Sequence, residues 1–276
     1  MAFILGPNAL AAGYRLFSFD TVGSTSDEAL AAARGGDSGA VWFAALQQTA
    51  GHGRRGRPWA TPPGNLAASV FVVTSATPAR AATLGFVGGL ALHEALSKMA
   101  PDLAVHMAVD GGSGPRSRFA LKWPNDLIAD NGAKVAGILL QSVHLPGGRT
   151  GIVAGIGVNI VSAPEGLPVP AASLNQLGAA VTAEALFAEL AEAWVGLERI
   201  WNNGSGLDAI RSLWLERASG VGGPVAVKTD AGVTRGVFET IDDEGCLVIR
   251  ARDGSAQKVT AGEVHFGAAA TYREAG

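Results

Sequence analysis

The sequence predicts an α+β protein: a large domain mixing strands and helices, followed by a small all-β domain. Three observations carry this. Short runs alternate apolar and polar residues with period two, longer runs between them repeat at helical spacing, and from about Gly222 the helical pattern gives way to short strands with turn signals. The boundary falls in SGVGG (219–223), giving domains 1–220 and 221–276.

YRLFSFD (14–20) reads as a strand. The helix STSDEALAAARGG follows, with Thr25 and Glu28 as its capping box and Gly35 as its end. AVWFAALQQ (40–48) is a second strand and delivers the chain into GHGRRGRPW (51–59); LAASVFVVT (66–74) is a third. PARAATLGFVGGLALHEALSKMA, with proline at its start, reads as one buried helix. AVDGGSGPRSR (108–118) reads as an exposed loop before the strand FALKW. LIADNGAKVAGILLQSV is a hairpin turning at Asp130, Asn131 and Gly132, GIVAGIGVNI (151–160) is another strand, and helices fill 182–203 and 207–218. In the small domain, turns at Asp230-Ala231-Gly232, Glu244-Gly245 and Asp253-Gly254 mark an antiparallel barrel.

Composition narrows the function. The 276 residues carry 21 basic and 24 acidic side chains, so no chain-wide field holds nucleic acid and any anion site is local. A single cysteine, Cys246, excludes an intrachain disulfide and a multi-cysteine zinc site, and suits a reducing, cytoplasmic setting. The five histidines lack metal-ligand spacing. The N-terminus has no basic region ahead of its apolar start, which argues against a signal peptide, and apolar runs such as 84–92 fall far short of the roughly 20 residues that span a bilayer.

Three clusters offer chemistry. In the first, Gly51, Gly53 and Gly56 expose backbone N–H groups, while Arg54, Arg55 and Arg57 add planar donors suited to phosphate or carboxylate. The competing reading is a solvated basic loop. It is not a P-loop, because no G-K-[ST] follows, nor a dinucleotide fingerprint, because no helix opens after it. In the second, LKWPNDL (121–127), Lys122 closes an apolar strand and Pro124 stops the ladder; one strand-end lysine is commonly a snorkelling surface residue. In the third, Gly137, Gly155 and Gly157 interrupt apolar strands, either because a flat ligand approaches their backbones or because they are bulge or corner glycines. Asn159 either caps a turn or reads a ligand edge.

In this order GSTSDEA (23–29), QTAGHGRRGRPW (48–59), PPGNLAAS (62–69), LKWPNDL (121–127), KVAGILLQS (134–142), GIGVNI (155–160) and GVFETIDDEGCL (236–247) resemble the biotin protein ligase family over nearly the whole chain. The resemblance implies a class II synthetase-like catalytic domain, a mixed sheet flanked by helices, with an SH3-like β-barrel after it. It implies an enzyme that joins biotin and ATP, with Mg²⁺, into biotinyl-5'-AMP and then biotinylates one lysine of a biotin carboxyl carrier protein or domain of acetyl-CoA carboxylase or a related carboxylase. Residues 1–13 are too few for the helix-turn-helix domain of family members that also repress genes, so a ligase without repressor function is expected.

The resemblance also assigns roles. Ser24, Thr25 and Gln48 match residues that contact the ureido ring of biotin, and Gly51 and the next residue meet its carboxylate side. Arg54 and Arg57 match the phosphate-contacting arginines, Lys122 the lysine between biotin carboxylate and α-phosphate, and Asn159 the adenine-reading asparagine. Gly137, Gly155 and Gly157 form a wall along the ligand; His52, Gly53, Trp59 and Asn125 complete the contact set. The metal ligands are unassigned. The loop is expected to be open or disordered when empty and closed over the adenylate. This chain departs from the family at His52, where arginine is usual, in lacking a tryptophan between Gly155 and Gln176 to stack on adenine, and in the 108–118 insertion. A homodimer along GIGVNI as an edge strand is a further expectation. The alternatives are a lipoate or octanoate ligase, an RNA-binding module, and a binding protein that has lost catalysis.

Overall fold

The computed structural model describes residues 2–101, 119–167, 169–229 and 232–266. The loop expected at 108–118, and Asp230 and Ala231 of one expected turn, lie outside them.

Seven strands form the main sheet: β1 (Arg15–Val22), β2 (Val41–Gln48), β3 (Leu66–Thr74), β4 (Phe119–Lys122), β5 (Asp126–Ala129), β6 (Lys134–His144) and β7 (Thr150–Val158). Their order is β1-β2-β3-β7-β6-β5-β4, and the sheet is mixed because β1 and β2 run parallel while every other pair is antiparallel. The expected hairpin turns at 130–133, with Ala129 N–H donating to Ala133 O at 2.8 Å and Gly132 at φ +80. GIGVNI is not an edge. β7 sits between β3 and β6, paired on both sides, so no second copy can add to it by backbone pairing.

Helices cover both faces. On one lies α2 (Thr25–Arg34), whose Ala29, Leu30 and Ala33 pack on Val41, Phe43, Phe71 and Val153. The cap is one residue earlier than the sequence suggests: Ser24 Oγ accepts from Asp27 N–H at 3.3 Å, so Ser24 and not Thr25 is the N-cap, and Thr25 is freed for tertiary bonds. Gly35 ends the helix as expected.

On the other face pack α4 (Leu84–Met99), α5 (Ala183–Trp201) and α6 (Leu207–Glu216). The single helix expected from Pro78 is two, because α3 (Pro78–Ala82) stops at Thr83. The Thr83 hydroxyl donates to Arg80 O at 2.6 Å and accepts from Trp201 Nε1 at 2.8 Å, which fixes the break. A short helix that the sequence did not announce, α1 (Pro7–Ala11), starts on a proline and is tied down by Glu192 of α5, which accepts from Ala9 N–H at 2.9 Å.

Five antiparallel strands follow: β8 (Pro224–Thr229), β9 (Gly232–Ile241), β10 (Leu247–Arg250), β11 (Ala256–Val259) and β12 (Glu263–Phe266), in the order β11-β10-β9-β8-β12. The connector from α6 pairs with the open side of β4: Leu121 N–H donates to Arg217 O and Ser219 N–H to Leu121 O, both at 2.8 Å. An edge strand is thereby covered, and the small sheet is delivered beside Lys122. Trp123 Nε1 reaches across to Gly245 O at 3.1 Å.

Inside the large domain Tyr14, Trp194 and Glu198 form a buried polar chain. Trp194 Nε1 donates to the Tyr14 hydroxyl at 2.8 Å, and that hydroxyl donates to Glu198. Burial holds the Glu198 carboxyl above the usual carboxylate range. Tyr14→Phe removes the middle of the chain and leaves a buried donor and a buried carboxyl without their partner. Urea denaturation is expected to show a loss of about 1–3 kcal/mol.

Candidate functional site

The site is built where β2, β4, β5, β6 and β7 end and the 49–60 loop folds across them. The loop is a closed hairpin rather than an open strap. His52 and Pro58 form a bridge, Gly53 N–H donates to Arg57 O at 2.7 Å, and Trp59 N–H donates to Gly51 O at 2.9 Å. Arg55 and Gly56 at the tip have φ +57 and +68, the left-handed turn that a glycine makes accessible. Gly51 has no room for a side chain, since a Cβ would lie 2.6 Å from Gln48 Nε2; at Gly53 a Cβ meets only ordinary contact, so that glycine is not sterically required here.

The three strand glycines have an occupant. At Gly157 a Cβ would collide with the Trp59 indole nitrogen, and at Gly137 it would lie 3.5 Å from the same ring and 3.0 Å from Lys134 Nζ. The flat group against this wall is therefore the indole of Trp59, which the hairpin lays over paired residues of β6 and β7. Gly155 makes room for a different group, the Ser26 hydroxyl at the start of α2.

A polar cluster fills the far end. Gln48 Oε1 accepts from Thr25 N–H at 2.8 Å and from Thr25 Oγ1 at 3.1 Å, and Gln48 Nε2 donates to Thr61 Oγ1 at 3.1 Å. Thr25 Oγ1 lies 2.8 Å, and Ser26 Oγ 3.0 Å, from the buried hydroxyl of Ser69. Ser24 is buried beside them. A cleft of about 400 Å³ opens here, lined by Gln48, Gly51, Trp59 and Thr61 among others.

Cations gather at the near end. Arg54 Nη1 donates to Asn125 Oδ1 at 2.9 Å; Asn125 in turn donates through Nδ2 to Ile138 O at 2.7 Å, so the β4–β5 turn fixes the arginine to β6. Arg57 pairs with Glu263 of β12. Lys134 Nζ lies 2.6 Å from Asp126 Oδ1 and 5.4 Å from the centroid of the Trp59 ring, a cation–π distance. Lys122 Nζ stands 5.9 Å over the Phe266 ring. Burial pulls the Lys122 ammonium below the ordinary lysine range; Asp126 opposes this, Lys134 adds to it and Glu263 opposes it. Burial likewise pulls Arg54 down, opposed by Asp126.

Asn159 is buried at the end of β7, with its amide 3.5 Å from Lys134 O, a weak bond that leaves most of its capacity unused. The Asn65 side chain instead holds the turn after it, accepting from Ile160, Val161 and Ser162 N–H. His52 faces Asp27 of α2, with Nε2 3.9 Å from Oδ1.

The fold thus brings the site residues expected from the sequence to one region, with Gly155 against the Ser26 and Ser69 hydroxyls and Gly53 holding the hairpin through its N–H to Arg57 O. It adds Lys134, Asp126, Ser69, Thr61, Glu263 and Phe266. Lys134 and Asp126 stood inside quoted motifs and were passed over because each is unremarkable alone; Glu263 and Phe266 had no local signal, since only the docking of β12 brings them here.

Residues 35–159 match the Biotin/lipoate A/B protein ligase family, and residues 221–267 match the Biotin protein ligase C terminal domain. The chain is 38% identical over 250 residues to a Biotin--[acetyl-CoA-carboxylase] ligase of Paracoccus denitrificans, covering 88% of this chain and 97% of the relative. It is 34% identical to the protein of the same name from Mycobacterium tuberculosis, covering 88% and 85% respectively. A structure of the biotin protein ligase from Aquifex aeolicus in complex with biotin and ATP has the same fold, with a TM-score of 0.71, 21% identity, and coverage of 92% of this chain and 99% of that one.

Gly157→Val tests the packing of the hairpin on the sheet. The added side chain displaces Trp59, so trypsin is expected to cleave at Arg54, Arg55 and Arg57 several times faster than in the wild type, while far-UV circular dichroism stays unchanged.

Proposed function

Because the chain belongs to the biotin/lipoate A/B protein ligase family, we propose that it is a biotin protein ligase, which makes biotinyl-5'-AMP from biotin and ATP and passes the biotinyl group to a carrier lysine. One observation carries the reading: Arg54, Arg57, Lys122 and Lys134 gather around the 49–60 loop, and the cleft beside Trp59 of that loop is lined by Gln48 and Thr61 of the hydroxyl and amide cluster. That is the arrangement required to bring two anions together at a neutral, hydrogen-bonding head group. The biotin protein ligase C-terminal domain favours biotin over lipoate.

In the first step a biotin carboxylate oxygen attacks the α-phosphorus of ATP; the new P–O bond forms as the bond to pyrophosphate breaks. Lys122 lies between carboxylate and α-phosphate, Arg54 and Arg57 hold phosphate oxygens, and Lys134 adds a second ammonium. Together these cations offset the charge that builds on the equatorial oxygens. Ser24, Thr25, Gln48 and the buried Ser69 behind them face the ureido ring, Trp59 with Gly137 and Gly157 forms the wall, and Asn159 has a spare amide for adenine. In the second step the carrier lysine amine attacks the carbonyl of the mixed anhydride, AMP leaves, and the amine proton goes to solvent. Here the loop acts by keeping water from the adenylate.

Magnesium enters with the nucleotide. Asp126 and Glu263, the carboxylates beside the cluster, are paired with Lys134 and Arg57. The carrier is a biotin carboxyl carrier domain of acetyl-CoA carboxylase or a related enzyme, as the names of the relatives support. Among the described residues no helix is long and apolar enough to cross a membrane. A buried, unpaired Cys246 supports work in the reducing cytoplasm.

Incubation with ATP and biotin, lipoate or octanoate, followed by detection of the acyl-AMP, tests the reading: biotinyl-AMP is expected, and lipoyl-AMP alone overturns it. Lys122→Ala is expected to lower adenylate formation by about a hundredfold or more, while Arg54→Gly makes the adenylate but releases it. Because burial depresses Lys122, its charge is lost earlier than that of an exposed lysine as pH rises. The rate of adenylate formation should therefore fall on an alkaline limb that Lys122→Arg moves upward.

A further inference from the structure

A second cavity lies at the opposite end of the main sheet from the 49–60 loop. It holds about 430 Å³ and is walled by residues that precede β1 and β2, by the end of β3 and by α5, among them Tyr14, Ala40, Val73, Val195, Glu198 and Arg199. β2 runs from this cavity at Val41 to the candidate site at Gln48, a separation of roughly 20 Å along an extended strand. No residue of the candidate site lines it. We propose that this cavity binds a small aliphatic amino acid, whose ammonium pairs with Glu198, whose carboxylate meets Arg199 and whose apolar body lies on Val73 and Val195.

The polar chain of Trp194, Tyr14 and Glu198 gives the cavity a direction. Trp194 Nε1 donates to the Tyr14 hydroxyl and that hydroxyl donates to Glu198, so the donors run toward the carboxyl and end there. A carboxylate offers about four acceptor positions, and Tyr14 and Trp194 fill at most two of them. The remaining capacity belongs to a group that lines the cavity, and it calls for a donor rather than another acceptor. Burial raises this carboxyl above the usual carboxylate range, a cost that a cationic donor offsets. An ammonium supplies both the N–H groups and the charge. Arg199 is exposed at the rim and forms no ion pair among the described residues. Opposite charges on one wall match a zwitterion, whereas a lone carboxylate meets like charge at Glu198.

The facing wall is fixed in advance. Arg15 Nη2 donates to Asp37 Oδ1 at 2.6 Å and to Gly39 O at 3.1 Å, and Asp37 Oδ1 accepts from Gly39 N–H at 2.9 Å, so the 37–40 turn is pinned to β1. Ala40, which lines the cavity, is held at φ +54, a left-handed conformation unfavourable for a residue with a Cβ. Backbone strain of this kind concentrates where ligands are clamped. A wall that is already ordered loses little freedom when it binds, and the volume falls in the range of roughly 300–1,000 Å³ that small-molecule sites occupy.

Binding here is independent of the ligase reading, and its test uses no ligase activity. Isothermal titration calorimetry of the full chain compares L-leucine with isoamylamine, which lacks the carboxylate, and with isocaproate, which lacks the amine. Leucine is expected to bind, isoamylamine about threefold more weakly, and isocaproate not measurably. Glu198→Gln keeps an acceptor for Tyr14 while removing the charge, and should weaken leucine about tenfold or more. Arg199→Met changes an exposed side chain and leaves the core intact; it should bring leucine down to the affinity of isoamylamine. Equal binding of leucine and isocaproate, leucine affinity unchanged in a folded variant, or no binding of leucine to the wild type overturns the proposal. Biotin and ATP added beforehand should leave leucine binding in place, and competition from them also overturns it.

Discussion

Crowding of like charge is the constraint on which the rest of this structure depends. Arg54, Arg57, Lys122 and Lys134 gather around the 49–60 loop, where the charge of Lys134 works against that of Lys122 and the charge of Arg57 against that of Arg54. Every one of them has a dedicated stabiliser: Asn125 for Arg54, Glu263 for Arg57, Asp126 for Lys134, and the face of Phe266 for Lys122. Burial still leaves Lys122 and Arg54 depressed, so the cluster retains a demand for anions that its own carboxylates do not meet. That unmet demand is the binding energy available to a carboxylate and a triphosphate.

The stabilisers come from two places, and this ties the two sheets together. Asn125 and Asp126 belong to the turn between β4 and β5, where Pro124 ends one strand and Asp126 begins the next. Glu263 and Phe266 belong to β12 of the small sheet. The small sheet is held there by the connector that pairs with β4 and by the Trp123 bond to Gly245 O. Lys122 therefore sits between β4 and the small sheet, which contributes Glu263 and Phe266 to the candidate site.

Much of the candidate site was legible because its residues are consecutive. GHGRRGRPW and LKWPNDL carry charge, glycine and proline in patterns that a plain surface loop or strand does not need, and strand ends are where sites are assembled. The strand glycines were legible as an anomaly but not as a solution. Sequence showed that something approaches Gly137 and Gly157, and a flat ligand was one reading; the structure places the Trp59 indole there, because the hairpin folds back by a distance that spacing does not encode. The N-cap was off by one residue because Ser24 and Thr25 are both good caps, and only the pull of Gln48 and Ser69 on Thr25 decides between them. GIGVNI looked like an edge because nothing local distinguishes a central strand from an outer one.

The sequence by itself determined most elements of the large domain, the change to short strands near residue 222, and the identity of the cationic and hydroxyl groups gathered at the candidate site, since these follow from periodicity, turn residues and side-chain type. Only the tertiary structure decided who neighbours whom across long separations. Glu263 meets Arg57 across 206 positions and Asn125 meets Arg54 across 71. Such pairs are set by sheet order and by the docking of β12, which depend on burial of the whole core at once and leave no mark in any local window of residues.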